Sequence, residues 1–178
     1  AKTPANGDEK GKEEQPKDLI VESKHTIVLN GQTLNYTVTC GTIVFKEEET
    51  VKKGEKEGQA EGEKPKATIF FTAYTLDGVA DKVSRSLTFS FNGGPGSSSV
   101  WLHLGLLGPR RVLFDEIGNP LPPPCKLVDN DYSLLDKTDL VFIDPVSTGF
   151  SRAVVGEKPR QFHGFKKDIE SVGDFIRL

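Results

Sequence analysis

From Asp18 onward, short apolar runs alternate with turn residues, and the period of each run predicts its element. Residues 25–45, "HTIVLNGQTLNYTVTCGTIVF", carry β-branched runs on either side of Asn30-Gly31, the dipeptide that suits the positive φ angles of a type I′ turn. This pattern predicts a β-hairpin. "ATIFFTAYTL" (67–76) and "RSLTFSF" (85–91) read as two more strands, with "DGVADKV" between them as the loop of a second hairpin. "SSSVWLHLGLLG" (97–108) begins with serines suited to a helix start and is rich in Leu, which predicts a short buried helix from near Ser98, ended by Gly108-Pro109. "RRVLF" (110–114) reads as a strand. The proline-rich "DEIGNPLPPP" after it is turn, because proline removes donors from a ladder.

Two later runs differ in period. "DLVFID" (139–144) is almost continuously apolar, as expected of a strand covered on both faces. "QFHGFKKDIESVGDFIRL" (161–178) places Phe162, Phe165, Ile169, Val172 and Ile176 three and four residues apart, an amphipathic helix with no stop signal before Leu178. Two segments have no such pattern. Residues 1–17 are charged and helix-breaking, and residues 46–66 are mostly Lys, Glu and Gly. Neither can recover its ordering entropy by burial, so a disordered tail and a mobile insertion are expected within one domain, residues 18–178.

Composition narrows the function. A formal charge of −3 in 178 residues provides no basic patch for nucleic acid or an anionic membrane surface. No apolar stretch approaches the roughly 20 residues of a membrane span. Cys40 and Cys125 stand far apart, without a C-x-x-C pattern, which leaves open a disulfide between them or two free thiols. His25, His103 and His163 are scattered and show no metal-ligand spacing, so neither metal nor cofactor is expected.

The chemistry concentrates in "FNGGPGSSSVW" (91–101), a glycine loop between a strand and a helix. Gly94, Gly96 and a later Asp115 echo a dinucleotide fingerprint, but Ser99 replaces its third glycine and Pro95 removes a backbone donor. No Gly-Lys-Ser/Thr follows, which excludes a P-loop. A tight turn alone needs fewer glycines. An oxyanion hole accounts for more of the loop, since it requires backbone N–H groups aimed at one point with no side chain in the way.

"FNGGPGSSS", then "LGPRRV", then "NDYSLLDKTDLVFIDPVSTGFSRA" resemble the N-terminal part of the serine carboxypeptidases, the peptidase S10 family, from about Thr68 to Leu178. The resemblance implies an α/β fold: the N-terminal part of an α/β-hydrolase, starting with antiparallel hairpin strands and leading into a central mixed sheet with helices. It implies that Gly94 donates its N–H to the oxyanion, that Asn92 binds the terminal carboxylate of a peptide substrate, and that Gly93 lets the substrate approach. "DPVSTGFS" is expected to be a structural loop beside the cleft, with Asp144 at its strand end.

The sequence departs from the family in having Ser97 where a cysteine is common and Leu106 where an acidic residue is common. It contains no G-x-S-x-G elbow. Ser151, in "GFSRA", lacks the second glycine and lies beyond Pro145, and Ser97, Ser98 and Ser99 read as helix-start caps rather than nucleophiles. The expectation is a chain that supplies half an oxyanion hole, with the catalytic triad in a C-terminal remainder beyond Leu178, and that is inactive alone. An esterase or a non-catalytic carboxylate-binding module are the other classes this loop would serve. The charged start and the family's habit favour export, to the periplasm or outside the cell.

Overall fold

The computed structural model describes residues 16–49, 61–92 and 96–178. β1 (Leu19–Leu29) and β2 (Gln32–Glu49) form the predicted hairpin, with Leu29 opposite Gln32. Asn30 and Gly31 lie at φ 51° and 77°, the left-handed pair that a type I′ turn demands. β3 (Glu61–Leu76) returns antiparallel to β2. The tail expected over 1–17 and the insertion expected over 46–66 fall mostly on residues 1–15 and 50–60, outside the described residues. The insertion's flanks are strand: residues 46–49 and 61–66 continue β2 and β3, with Lys46 opposite Pro65 and Glu47 opposite Lys64.

β4 (Ser86–Ser90) leads into the glycine loop. α1 (Val100–Leu102) is a single helical turn that widens into a π turn over His103–Leu107, closed by the Gly108 N–H on the His103 carbonyl at 3.0 Å. This helix is not buried as its Leu content suggests, since the side chains of Trp101 and Leu106 are exposed. β5 (Arg110–Val112) and β6 (Leu127–Asp129) pair in a separate two-stranded ribbon. β7 (Thr138–Ile143) then enters the main sheet, β8 (Arg152–Ala153) pairs with β3, and a 3₁₀ turn (Pro159–Phe162) precedes α2 (Phe165–Arg177).

The main sheet is mixed, in the order β1-β2-β3-β7-β4, and with its helices gives an α/β fold. β3 and β4 are therefore not a hairpin, and residues 77–83 are not its loop. β7 lies between them, antiparallel to β3 and parallel to β4. The reason is burial: an unbroken apolar strand is most stable with neighbours on both edges and cover on both faces. Val141 and Ile143 face one side, with Phe71, Phe162, Val172 and Phe175. Leu140 and Phe142 face the other, with Ile27, Leu29, Tyr36, Tyr74 and Leu135. The apolar stripe of α2 divides accordingly. Of the predicted positions Phe162 and Val172 enter the core, joined by Phe175 from outside the stripe, whereas Phe165 is 86% exposed and Ile169 58%.

Candidate active site

Because β4 and β7 run parallel, with Ser90 beside Phe142, the chain leaves both strands at the same edge of the sheet. Clefts in α/β sheets form at such carboxyl ends. Asn92 is half-buried there, two residues past β4. With Phe91, Gly96, the loop from Pro145 to Thr148, His163 and one side of α2 it lines a largely apolar cleft of about 930 Å³. The expected oxyanion donor Gly94 and its neighbour Gly93 lie outside the described residues, as does Pro95. The loop resumes at Gly96 with φ 97°, which only glycine adopts readily. At the cleft's rim, His163 Nε2 hydrogen-bonds Ser147 Oγ at 3.0 Å, and Ser147 holds an unusual φ of 75°.

The following segment brings the two signature motifs into contact. Asp144, 4% exposed, accepts the Ser99 N–H and the Ser99 hydroxyl on Oδ1, both at 2.8 Å, and the Phe150 N–H on Oδ2 at 3.2 Å. Ser99 is the N-cap residue of α1, but its side chain makes no capping bond. Its hydroxyl donates to Asp144, 45 residues away. Gly149 passes so close to this carboxylate that a Cβ would lie 1.7 Å from Oδ2, at a φ of 45°.

Ser151 is fully buried and both of its hydrogen-bonding roles are taken. Its hydroxyl donates to the Asp144 carbonyl at 2.6 Å and accepts the Phe70 N–H at 2.7 Å. It replaces a ladder rung where β7 turns away from β3 at Pro145, and so it is a structural hydroxyl rather than an exposed nucleophile.

Behind α1, the rest of the motif serves packing. Asn130 is buried and donates to the carbonyls of Leu106 and Gly108, both at 2.8 Å, while the Ser133 hydroxyl donates to that of Leu107 at 3.0 Å. These bonds satisfy the orphan carbonyls at the end of the π turn. The His103 ring stacks on Phe142, with centroids 4.6 Å apart, and shares a hydrogen bond with the Tyr74 hydroxyl at 2.5 Å. Burial drives its pKa down to about 4, against an upward pull from Asp144, and burial also raises that of Tyr74. Nothing in the spacing of His103 and Tyr74 marks them as partners; only the pairing of β3 with β7 brings them together.

Among the described residues no cluster of His, Cys, Asp or Glu is placed to hold a metal ion. Both cysteines are free thiols, Cys40 half-buried and Cys125 exposed, so the bridge left open by the sequence does not form.

The model of the serine carboxypeptidase family matches residues 48–171, a span that contains the glycine loop, Asn130, Asp144 and Ser151. The chain belongs to the serine carboxypeptidases. Among curated relatives, the pheromone-processing carboxypeptidase KEX1 of Saccharomyces cerevisiae is 41% identical over 83 residues, 46% of this chain and 10% of that protein. That of Zygosaccharomyces rouxii is 40% identical over 79 residues, 44% of this chain and 10% of that protein. The crystal structure of the S. cerevisiae prohormone-processing carboxypeptidase KEX1(delta)p aligns with a TM-score of 0.39 and 30% identity, covering 62% of this chain and 20% of that one. This serine carboxypeptidase chain thus matches about a tenth of the length of its curated relatives.

Proposed function

We propose that these residues form part of a serine carboxypeptidase that releases C-terminal residues from peptides, and that they contribute the oxyanion loop and the carboxylate-binding loop. The observation that carries the reading is Asn92 on the wall of the cleft where β4 and β7 end, within the span that matches the family. In this reading Gly94 donates its N–H to the tetrahedral oxyanion. Gly93 leaves room for the scissile bond, and Asn92 donates its amide to the free carboxylate of the peptide. An amide donor suits an exopeptidase because it recognises the charged terminus without adding a charge. Leu106 stands where family members often carry an acid, and its side chain is exposed, so carboxylate recognition on this chain falls to Asn92. The nucleophilic serine, its histidine base and the aspartate that orients it come from beyond Leu178, and these residues alone do not turn over substrate. Among the described residues no helix is long and apolar enough to cross a membrane, and export to the periplasm or outside the cell is part of the proposal.

The test is to treat the protein, extended through its C-terminal remainder, with a fluorophosphonate that acylates activated serines, and to map the adduct by mass spectrometry. The adduct is expected on a serine beyond Leu178. An adduct on Ser151, or hydrolysis of peptides by residues 1–178 alone, would overturn the reading. In the same protein, Asn92→Ala is expected to raise KM for a peptide with a free carboxylate about tenfold or more, the worth of one hydrogen bond to a charged group. KM for the matching C-terminal amide should not change. Cleavage of simple esters without any carboxylate dependence would point to an esterase instead.

A further inference from the structure

β1 is the outer strand of the main sheet, and among the described residues nothing pairs with its free edge. It is 11 residues long, and every residue from Leu19 to Thr26 is exposed, Leu19 to 66% and Val21 to 62%. A long apolar edge is a template for another strand, and folds blunt it with proline, a bulge or charge. β1 contains no proline, its register against β2 is unbroken from Leu19 to Leu29, and its two charges, Glu22 and Lys24, are of opposite sign. The turn fixes which backbone groups the edge offers. Leu29 and Gln32 close a type I′ hairpin, and such a closing pair exchanges both of its hydrogen bonds, so the odd-numbered residues of β1 face β2. The even-numbered residues Ile20, Glu22, Lys24, Thr26 and Val28 therefore turn their N–H and C=O groups outward. The partner of Thr26 agrees with this: the Asn35 carbonyl accepts the Asp77 N–H at 2.9 Å, on the side away from β1.

We infer that this edge binds a second copy of the chain, β1 against β1 and antiparallel, so that one sheet runs through both. The inference does not depend on the peptidase reading. A two-fold pair must set outward-facing residues opposite each other, which leaves three registers near the centre of the strand. One sets Glu22 against Glu22 of the second copy and another sets Lys24 against Lys24, and like charges directly opposite repel. The third places the axis at Ser23. It sets Glu22 opposite Lys24 twice, Ile20 opposite Thr26, Val21 opposite His25 and Leu19 opposite Ile27. Both charges are available for this, since among the described residues Lys24 has no ion pair and Glu22 accepts only the Thr39 hydroxyl, at 3.3 Å. A guard against pairing would work better with one sign of charge, because every register would then repel. Opposite signs two residues apart select one register instead.

The test is sedimentation velocity of the full-length protein, whose wild type is expected to pass from monomer to dimer between about 1 and 100 µM. Glu22→Lys and Lys24→Glu each set like charges opposite twice, and each should raise the dimer Kd about tenfold or more. An equimolar mixture of the two variants pairs opposite charges again and should return Kd to within about threefold of wild type. High salt should narrow these differences. Both side chains are exposed, so the variants keep the fold. Crosslinking reads the register, in a Cys125→Ser background because Cys125 is an exposed thiol. Ser23→Cys should oxidise to a disulfide-linked dimer, since facing residues without mutual hydrogen bonds have Cα atoms about 4.5 Å apart, whereas His25→Cys, two positions from the axis, should not. A wild type that stays monomeric at the top of the range overturns the inference. So does a dimer that is indifferent to both charge changes, or one that crosslinks through His25→Cys rather than Ser23→Cys. Amides of Ile20, Glu22, Lys24 and Thr26 protected from hydrogen exchange in a monomer would mean that another segment of the same chain covers the edge, and would overturn it as well.

Discussion

Two aspartates bracket β7 and do different work. Asp139, near its start, pairs with Arg85 at 2.6 Å and also accepts the Leu76 N–H at 2.9 Å, while Arg85 donates to the Leu135 carbonyl at 2.6 Å. The ends of β3 and β7 and the approach to β4 are thereby tied by a cation. Asp144, past the other end, is bound by neutral donors from two loops. The first end holds the sheet together, and the second holds the loops that the sheet carries. The difference shows that charge alone does not reveal a role. An ion pair closes on itself, whereas a carboxylate without a cation must collect donors from wherever the fold can bring them.

Breaking the first end should have the larger effect on stability. Arg85→Met leaves a mostly buried Asp139 without its cation, and removal of one member of a buried pair costs about 3–5 kcal/mol. The urea midpoint of the full-length protein should fall markedly, while the ratio of kcat to KM in the surviving folded fraction stays near wild type. A drop in kcat in the folded fraction would erase the distinction between the two ends.

The second end can be read through its neighbour His103. Its folded pKa of about 4 lies below the ordinary value of 6.5, so the fold favours the neutral ring. The stability this contributes is complete above about pH 6.5 and is lost as pH falls toward 4. At about 1.4 kcal/mol per pKa unit the loss is on the order of 3 kcal/mol. His103→Gln should flatten unfolding free energy against pH across that window. D144N should move the window lower, because the Asp144 charge now pulls the His103 pKa up. An unshifted window would mean that Asp144 does not act on His103 as a charge.

The smallest effect belongs to the Asp144 main chain. Ser151→Ala strands the Phe70 N–H and the Asp144 carbonyl at the point where β7 leaves β3, an expected loss of about 2 kcal/mol in denaturant unfolding. Fluorophosphonate labelling of the full-length protein should be retained. A variant that folds normally and no longer reacts would return Ser151 to the list of nucleophiles.

Some of this was legible from residues a few positions apart. Asn30-Gly31 specified its turn, "DLVFID" specified a strand buried on both faces, and "FNGGPGSSS" with "DPVSTGFS" carried the family likeness. The misreadings have one origin. "DGVADKV" looked like a hairpin loop because β3 and β4 are consecutive, but β7 competes for the position between them with a better apolar strand. Ser99 does occupy the N-cap position that its place suggested, but its side chain makes no capping bond, and its hydroxyl donates to a buried carboxylate distant in sequence. The apolar stripe of residues 162–176 looked uniform, but of its members only Phe162 and Val172 join the core, and Phe175, outside the stripe, joins them from the angle at which the helix packs.

The sequence by itself thus determined most of the elements, the turn chemistry and the family, because period, φ preference and motif each reside in neighbouring residues. Only the tertiary structure decided that β7 divides β3 from β4, that Tyr74 meets His103, and that Asp144 holds Ser99. Each of these depends on which strand ends emerge side by side once the sheet has formed, and no local pattern records that.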